Sequence, residues 1–207
     1  LEPILADADV GVLLIDQGHL TMHAGAPWLK QVKHVLAVGQ DQRLIRWRDD
    51  ADIRLTWDLP RPEEISTLQY TGGTTGRSKG VELSHQAVAI NVRQRQALLP
   101  VAMDSERVLA VTPLFHVYAT SMGLYLALFA RAELIIIPRY RPEEVLKTIQ
   151  EQQITLFAGS PTLFHGLMAH LDFPNTNWSS LKLCFSGSAP LPVETLRRWE
   201  AVTGCPI

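Results

Sequence analysis

The sequence predicts an α/β fold in which parallel-rich sheets carry helices on both faces. Short runs of β-branched residues and leucine are typical of buried parallel strands, and they occur at residues 10–16, 32–38, 108–112, 133–137, 154–158 and 181–185. Helical patterns alternate with the later runs, at residues 122–129, 142–152, 161–170 and 192–202. This alternation indicates βαβ units, whose crossover helices cover the sheet.

Several boundaries are marked by particular residues. Ser84 is a good N-cap for a helix that runs to about residue 98, where Pro100 closes it off. Pro142 and Pro161 stand where proline is tolerated, in the first turn of a helix.

Three further segments complete the pattern. Residues 122–130 are the most apolar stretch, and residues 122–129 within it are expected to form a buried helix. Residues 64–70 are expected to form a strand that leads into a Gly/Thr-rich loop, and residues 40–62, rich in charge and proline, a connecting loop.

Composition indicates a globular protein. The 207 residues are 46% hydrophobic and 19% charged, with a formal net charge of −2. That charge gives no electrostatic reason to expect nucleic-acid binding, which depends on Lys and Arg. The basic stretch at residues 43–48 is followed at once by Asp49, Asp50 and Asp52, so we interpret it as a solvated face.

The two cysteines, Cys184 and Cys205, cannot build a disulfide framework and lack CxxC spacing. Cys184 lies in an apolar run and is interpreted as a buried, inert thiol, which fits a reducing, cytoplasmic setting. No apolar stretch reaches the ~18–20 residues of a membrane span. Peripheral contact at the inner membrane face stays open.

The most informative segment is the Gly/Thr-rich loop, YTGGTTGRSKG, at residues 70–80. Its glycines let backbone N–H groups approach an anion, the threonines add hydroxyl donors, and the lysine adds a compact positive charge suited to phosphate. The loop is neither GxxxxGK[ST] nor GxGxxG, and a flexible surface loop is the alternative. The residues proposed to bind phosphate are Thr71, Gly72, Gly73, Thr74, Thr75, Gly76 and Lys79.

Two more segments follow predicted strands. His116, in the run TPLFHVY, has the chemistry to bind a carboxylate or to be a satisfied core residue. Gly187, Ser188 and Ala189, in SGSAPL, stand where open α/β sheets place ligands, although a tight turn is the alternative.

The loop and the LSH at residues 83–85 resemble the signature of the adenylate-forming superfamily, which includes acyl-CoA synthetases, adenylation domains and firefly luciferase. A common form is YTSGTTGxPKGV; here Gly72 replaces Ser and Ser78 replaces Pro. The YTGG form resembles bacterial long-chain fatty acyl-CoA synthetases. PLFH and SGSAPL are also similar to family segments, and AGSPTLF at residues 158–164 resembles the segment near the acyl pocket.

The resemblance implies a fatty-acid–CoA ligase that uses ATP, Mg²⁺ and CoA. It implies that residues 71–79 hold the β- and γ-phosphates, that His116 orients the acid, and that residues 187–189 face adenine. Phe115 and Tyr118 are expected to pack or to shape the pocket wall.

It also implies an internal fragment of the large N-terminal domain, with residues 1–103 and 104–207 in two subdomains. The Glu that holds Mg²⁺, the ribose-binding Asp and a C-terminal Lys would lie beyond Ile207. The fragment alone is therefore expected not to form acyl-adenylate. An amino- or aryl-acid enzyme and a non-catalytic nucleotide-binding homologue remain alternatives.

Overall fold

The computed structural model describes residues 2–38, 58–71 and 78–207. The chain divides into two compact units, Leu1–Val88 and Ala89–Ile207. The boundary between these compact units does not test the boundary between subdomains that the sequence predicts after residue 103. That subdomain boundary stays a prediction. Most of the connecting loop expected at residues 40–62, with the basic stretch inside it, lies outside the described residues.

The first unit begins with a small parallel sheet. Strand β1 (Val12–Asp16) pairs with β2 (His34–Val38), Val12 lying opposite His34. Helix α1 (Glu2–Asp7), helix α2 (Gln17–Met22) and a 3₁₀ turn (Pro27–Gln31) surround them in sequence. The buried residues of this part are Leu5, Trp28 and Val32. Both strands were predicted, and each is confirmed to within two residues at its start.

A two-stranded hairpin follows in the same unit. Strand β3 (Ile65–Thr71) pairs antiparallel with β4 (Lys79–Ser84), and Thr71 lies opposite Lys79. The strand expected at residues 64–70 is thus confirmed, whereas β4 was not predicted. Only Val81 and Leu83 are apolar in β4, an alternation too short to indicate a strand.

Helix α3 (His85–Leu98) starts where the sequence indicates. The Ser84 hydroxyl oxygen accepts the N–H of Ala87 at 3.1 Å, which satisfies a donor in the first turn. The expected N-cap and the end of the helix before Pro100 are both confirmed.

The second unit contains a four-stranded sheet in the order β6-β5-β7-β8. All neighbouring strands are parallel. Its strands are β5 (Arg107–Ala110), β6 (Glu133–Ile136), β7 (Leu156–Gly159) and β8 (Leu183–Ser186).

Each pair of successive strands is joined by a helical connection. The helices of this unit, after α3, are α4 (Val117–Ala119), a π-helical segment (Thr120–Tyr125) that continues into α5 (Leu126–Ala130), α6 (Pro142–Glu151), α7 (Pro161–Met168), a 3₁₀ turn (Phe173–Asn175) and α8 (Val193–Thr203).

Alternate strand residues pack on opposite faces of the sheet, as the two-residue period of a strand requires. Leu109, Phe157 and Cys184 belong to one buried cluster, with residues of α6, α7 and α8 such as Trp199. The strand residues next to them in the chain, Val108, Leu156 and Phe185, belong to a second buried cluster. This cluster also contains Leu126, Ala127 and Ala130 of α5. The predicted α/β fold with helices on both faces is therefore confirmed.

The helix expected at residues 122–129 is present, but the expectation that it is buried is wrong in part. Leu126, Ala127 and Ala130 face the sheet, because positions one turn apart share a side of a helix. Leu128 points away and is 67% exposed. The high apolar content of this stretch therefore does not measure its burial.

In the described part of the chain, no helix is both long and apolar enough to cross a membrane.

Candidate functional site

The carboxyl ends of β5, β7 and β8 meet at one edge of the four-stranded sheet, because these strands are parallel. Gly159 is the last residue of β7, and His116 and Gly187 lie in the segments that follow β5 and β8. Open α/β sheets bind ligands at this edge. We call it the carboxyl edge.

Tyr118 joins two of these strand ends. Its hydroxyl donates to the carbonyl of Phe185 at 3.0 Å and lies 3.3 Å from that of Gly159. Burial, and to a smaller extent the neighbouring Cys184, raises the pKa of Tyr118 to about 12, so the phenol keeps its proton at neutral pH. It therefore remains a donor at the centre of the edge.

Gly187 lies directly against this tyrosine. Its N–H donates to the Gly159 carbonyl at 3.1 Å, which continues the pairing of β7 and β8 past the strand ends. A Cβ at position 187 would lie 2.3 Å from Tyr118 Cε2. Only glycine fits this position with the tyrosine in place.

His116 caps the helix that begins with α4. Its Nδ1 accepts the N–H of Tyr118 at 3.3 Å, so a neutral imidazole carries its proton on Nε2. The Thr120 hydroxyl donates to the Leu114 carbonyl at 2.6 Å and holds the same turn. The exposed imidazole can therefore present an N–H donor to a carboxylate while its other nitrogen stays engaged.

Two unusual serines lie at the end of β8 and just beyond it. The Ser186 hydroxyl is buried and has no hydrogen-bond partner within residues 2–38, 58–71 and 78–207. Ser188 has φ of 70°, a left-handed conformation that costs an L-residue about 1–2 kcal/mol. An unpaired polar group and a strained residue in one segment are features that recur at ligand sites.

A small cavity opens beneath the edge. Its volume is about 10 Å³, room for roughly one water molecule, so it is too small for an acyl chain as it stands. It is lined by Leu109, Ala110, Val111, Thr112, Tyr118, Ala119, Gly123 and Ala158. The expectation that Tyr118 shapes a pocket wall thus agrees with its position. Phe115 is 79% exposed and is not among the lining residues.

The hairpin of the first unit carries the described ends of the predicted phosphate loop. Thr71 and Lys79 are paired residues of β3 and β4, with the Thr71 hydroxyl 3.4 Å from the Lys79 carbonyl, and both residues are exposed. Gly72, Gly73, Thr74, Thr75 and Gly76 lie outside the described residues.

Tyr70 secures the strand that enters this loop. Its hydroxyl donates to a carboxylate oxygen of Asp7 at 2.5 Å. That hydrogen bond, more than desolvation, raises the pKa of Tyr70 to about 12.

Comparison with known proteins identifies the family. The family described as AMP-binding enzyme matches residues 1–207. The chain belongs to this family. It is 42% identical over 142 residues to the long-chain-fatty-acid–CoA ligase of Bacillus subtilis (strain 168), covering 68% of this chain and 25% of that protein. It is 30% identical over 200 residues to the feruloyl-CoA synthase of Amycolatopsis sp, covering 96% of this chain and 38% of that protein.

Solved structures of AMP-binding enzymes share its fold. The anthranilate CoA ligase AuaEII in complex with anthranoyl-AMP is 27% identical, with a TM-score of 0.87 over 100% of this chain and 40% of that chain. ATP-bound MatB from Rhodopseudomonas palustris is 26% identical, with a TM-score of 0.82 over 100% and 41%. The chain thus spans about a quarter to two fifths of the length of these relatives.

The predicted site residues of this AMP-binding chain fall into two groups. Thr71 and Lys79 are neighbours in the first unit. His116 and Gly187 are linked in the second unit through Tyr118, and Ser188 and Ala189 follow Gly187. Their roles toward a nucleotide or an acid stay predictions.

Sequence reasoning overlooked two features of this edge. The bridge made by Tyr118 depends on contacts across 41 and 67 residues, which no local pattern signals. The buried hydroxyl of Ser186 was part of a noted motif, and its position at the end of a predicted parallel strand was the available signal.

Proposed function

We propose that the intact protein is an ATP-dependent acid–CoA ligase that activates a carboxylate, preferably a fatty acid, as an acyl-adenylate. The observation that carries this proposal is the link at the carboxyl edge between His116, Tyr118 and Gly187. It joins a donor suited to a carboxylate with the segment assigned to adenine. The proposal rests further on family membership and on the long-chain-fatty-acid–CoA ligase among its relatives.

The hairpin supplies the phosphate-binding part. Thr71 and Lys79 bracket the glycine-rich loop, and the antiparallel pairing of β3 and β4 holds both ends of that loop together. The ammonium of Lys79 and the threonine hydroxyls would bind the β- and γ-phosphates. The hydrogen bond between Tyr70 and Asp7 fixes the strand from which the loop starts.

The carboxyl edge supplies the acid- and base-binding parts. His116 would donate from Nε2 to one oxygen of the acid and hold the other oxygen toward phosphorus. Gly187, Ser188 and Ala189 would contact adenine, where the missing Cβ of Gly187 leaves the ring of Tyr118 as the floor. An acid that enters the cavity below has to enlarge it, since the cavity holds only about one water molecule.

The reaction would proceed in two displacements. A carboxylate oxygen forms a bond to the α-phosphorus of ATP, and the bond from that phosphorus to the bridging oxygen breaks, releasing pyrophosphate. The thiolate of CoA then forms a bond to the acyl carbon and AMP leaves. Two anions must meet in the first step, and unit charges ~4 Å apart repel by about 4 kcal/mol at an effective dielectric of 20. Lys79 and the N–H donors would offset that repulsion.

Mg²⁺ would accompany the triphosphate of ATP and neutralise part of its charge. Within residues 2–38, 58–71 and 78–207, no three His, Cys, Asp or Glu side chains are grouped to hold a metal. Mg²⁺ commonly uses one or two carboxylates together with substrate phosphates.

An aromatic acid is the second candidate substrate. The relative that covers 96% of this chain is a feruloyl-CoA synthase, and an anthranilate CoA ligase shares the fold. The aromatic ring of Tyr118 in the cavity wall is compatible with such an acid.

Carboxylate-dependent ATP–pyrophosphate exchange on the full-length protein tests the activity. Fatty acids of graded chain length and a set of aromatic acids would be compared at equal concentration. We expect exchange with fatty acids to exceed exchange with aromatic acids. The reverse order would favour the second candidate, and no exchange with any acid would refute the proposal.

Two substitutions test the assigned residues in the same assay. Lys79→Ala should raise KM for ATP and slow exchange by about 100-fold, since it removes a charge that acts on the phosphates. Lys147→Ala is the control, because Lys147 is an exposed lysine of α6. His116→Asn keeps an N-cap side chain but loses the Nε2 donor, so it should raise KM for the acid more than KM for ATP. An unchanged Lys79→Ala enzyme would contradict the phosphate assignment.

A further inference from the structure

The two cysteines of the chain lie side by side in the second unit. Cys184 Sγ and Cys205 Sγ are 3.7 Å apart, and each residue is about 1% exposed. The sequence analysis interprets Cys184 as a buried, inert thiol. Its burial is confirmed, but it has a second thiol in contact.

The fold itself creates this pair. Cys184 lies in β8, and Cys205 comes directly after Gly204, which ends α8 in a left-handed conformation with φ of 67°. The turn at Gly204 brings the chain back beside β8, where the N–H of Cys184 donates to the Pro206 carbonyl at 2.9 Å. This backbone hydrogen bond holds the two segments side by side and keeps the sulfur atoms in contact, although the two cysteines are 21 residues apart in sequence.

We propose that Cys184 and Cys205 form an oxidative modification site that closes to an intramolecular disulfide when the protein meets a peroxide. The contact distance is the main support. A disulfide bond is about 2.05 Å long, so the sulfur atoms need to approach by roughly 1.7 Å. A sulfur pair already in contact needs far less rearrangement than two cysteines whose sulfur atoms are several ångströms further apart.

The chemistry assigns different parts to the two thiols. Cys205 attacks first: its thiolate sulfur bonds to one peroxide oxygen, the O–O bond breaks, and hydroxide leaves, giving a sulfenic acid. Cys184 then attacks that sulfur and expels the oxygen as water. In total, two thiols and one hydrogen peroxide give one disulfide and two water molecules.

The surroundings of the thiols support this order. The hydrogen bond with Cys184 lowers the pKa of Cys205, whereas burial raises the pKa of Cys184. The thiolate is the reactive form, so Cys205 is the better first nucleophile. Because both residues are buried, the peroxide reaches Cys205 when the turn after α8 opens locally.

The position of the pair links it to the proposed nucleotide site. Cys184 lies on β8, two residues before Ser186 at the end of that strand and three residues before Gly187. Pulling Cys184 toward Cys205 would shift the segment that carries the adenine contacts. This part rests on the proposed function, and it predicts that the oxidised full-length enzyme has a KM for ATP raised by about 10-fold or more.

Peptide mapping tests the modification without reference to activity. The full-length protein is treated with hydrogen peroxide at several protein concentrations, unfolded in an alkylating agent, and digested without reduction. We expect the peptides of Cys184 and Cys205 linked, with a mass lower by two hydrogen atoms, at a yield independent of protein concentration. Dithiothreitol should restore both thiols.

Single variants separate the two steps. With Cys184→Ala, Cys205 should accumulate as a sulfenic acid that dimedone traps; with Cys205→Ala, Cys184 should stay reduced. The proposal is overturned if both cysteines of the wild-type protein remain alkylatable at a peroxide dose that oxidises glutathione. Linkage of Cys205 to another molecule would overturn it equally.

KM for ATP is measured on protein in which peptide mapping has established the disulfide between Cys184 and Cys205. Peroxide should raise KM for ATP in the wild-type enzyme but not in the Cys184→Ala, Cys205→Ala double variant. A complete disulfide with unchanged KM for ATP would refute the coupling to the nucleotide site. An enzyme without exchange activity before oxidation would instead refute the proposed function and leave the mapping result unaffected.

Discussion

The two edges of the four-stranded sheet are built differently. We call the edge where the parallel strands begin the amino edge. There, Glu106, just before β5, and Lys182, just before β8, form an ion pair at 3.0 Å. Nearby, the Arg107 guanidinium lies 3.0 Å from the Glu133 carboxylate, and the Arg107 N–H donates to the Thr155 hydroxyl at 2.8 Å. The carboxyl edge is instead joined through a neutral side chain: the Tyr118 hydroxyl donates to the Phe185 carbonyl, and the Ser186 hydroxyl has no hydrogen-bond partner among the described residues. Left-handed residues occur at both edges, Ser188 at this one and Asp104, Arg131 and Gln153 before β5, β6 and β7.

The ion pairs are what separate the two edges, because in the described chain Glu106 and Arg107 also each carry a buried side-chain atom without a hydrogen-bond partner. Side chains that bond to one another stabilise the fold and have little capacity left for a ligand. A buried hydroxyl without a partner, or a backbone held in an unfavourable conformation, costs stability that the rest of the fold must offset. We therefore expect substitutions at the amino edge to change stability alone, and those at the carboxyl edge to change stability and nucleotide handling together.

The largest effect should come from Gly187→Ala. The new Cβ would lie 2.3 Å from the ring of Tyr118, so the tyrosine has to leave its bridge between β7 and β8. Overpacking and the lost hydrogen bond together should cost about 2–4 kcal/mol of unfolding free energy. Urea unfolding measures that cost, and KM for ATP should rise in parallel.

Gly123→Ala is the matched control for this substitution. Its new Cβ would meet nothing closer than the Cβ of Ala110 at 3.7 Å, and alanine has the higher helix propensity. Stability should stay the same or rise by up to about 1 kcal/mol. Equal destabilisation by both substitutions would mean that the contact between Tyr118 and Gly187 is not what requires glycine.

The amino edge should respond next, through Lys182→Met. Glu106 is 4% exposed, and removing its cation leaves a buried carboxylate unpaired. Removing one partner of a fully buried ion pair costs about 3–5 kcal/mol of unfolding free energy. Because the Lys182 side chain is 54% exposed, water screens this pair, and we expect the variant to lose about 1–3 kcal/mol. ATP–pyrophosphate exchange below the unfolding temperature should not change.

The same pair predicts a dependence on acid pH. Burial alone would raise the pKa of Glu106, but hydrogen bonds with Thr155 and Lys182 outweigh it and leave the pKa below its ordinary value. The stabilisation is therefore complete above the unfolded-state pKa of about 4.3 and disappears as the pH falls through the lower folded-state pKa. Glu106→Gln should flatten this part of a stability curve. An identical slope in wild type and variant would contradict the assignment.

The sequence predicted the elements of this molecule better than its contacts. Pro142, Pro161 and Ser84 marked helix starts correctly, because caps and prolines act through neighbouring backbone. The contact of Cys184 with Cys205 was not predictable, since it depends on where the chain returns after α8. The exposure of Leu128 was missed for a similar reason, because composition does not tell which side of a helix meets the sheet.

A smaller effect is expected for Tyr118→Phe, which keeps the ring against Gly187 but removes the hydroxyl. Losing the bond to the Phe185 carbonyl should cost about 1 kcal/mol at neutral pH. The folded-state pKa of Tyr118 is about 12, above the unfolded value of about 10, so its stabilisation is complete below pH 10 and is lost toward pH 12. The difference in stability between wild type and variant should shrink over this interval. A constant difference would show that the phenol is not the group that titrates.

A small, stabilising effect should come from Ser188→Gly. Glycine adopts φ of 70° without strain, which recovers about 1–2 kcal/mol, while its greater freedom in the unfolded chain costs about 0.5–1 kcal/mol. The net gain should be about 0.5 kcal/mol, measured as a higher urea midpoint. Ser188→Ala keeps the Cβ and the strain, so its midpoint should not rise. If both variants gained equally, the serine hydroxyl rather than the left-handed backbone would be the cause, and the strain assigned to Ser188 would be wrong.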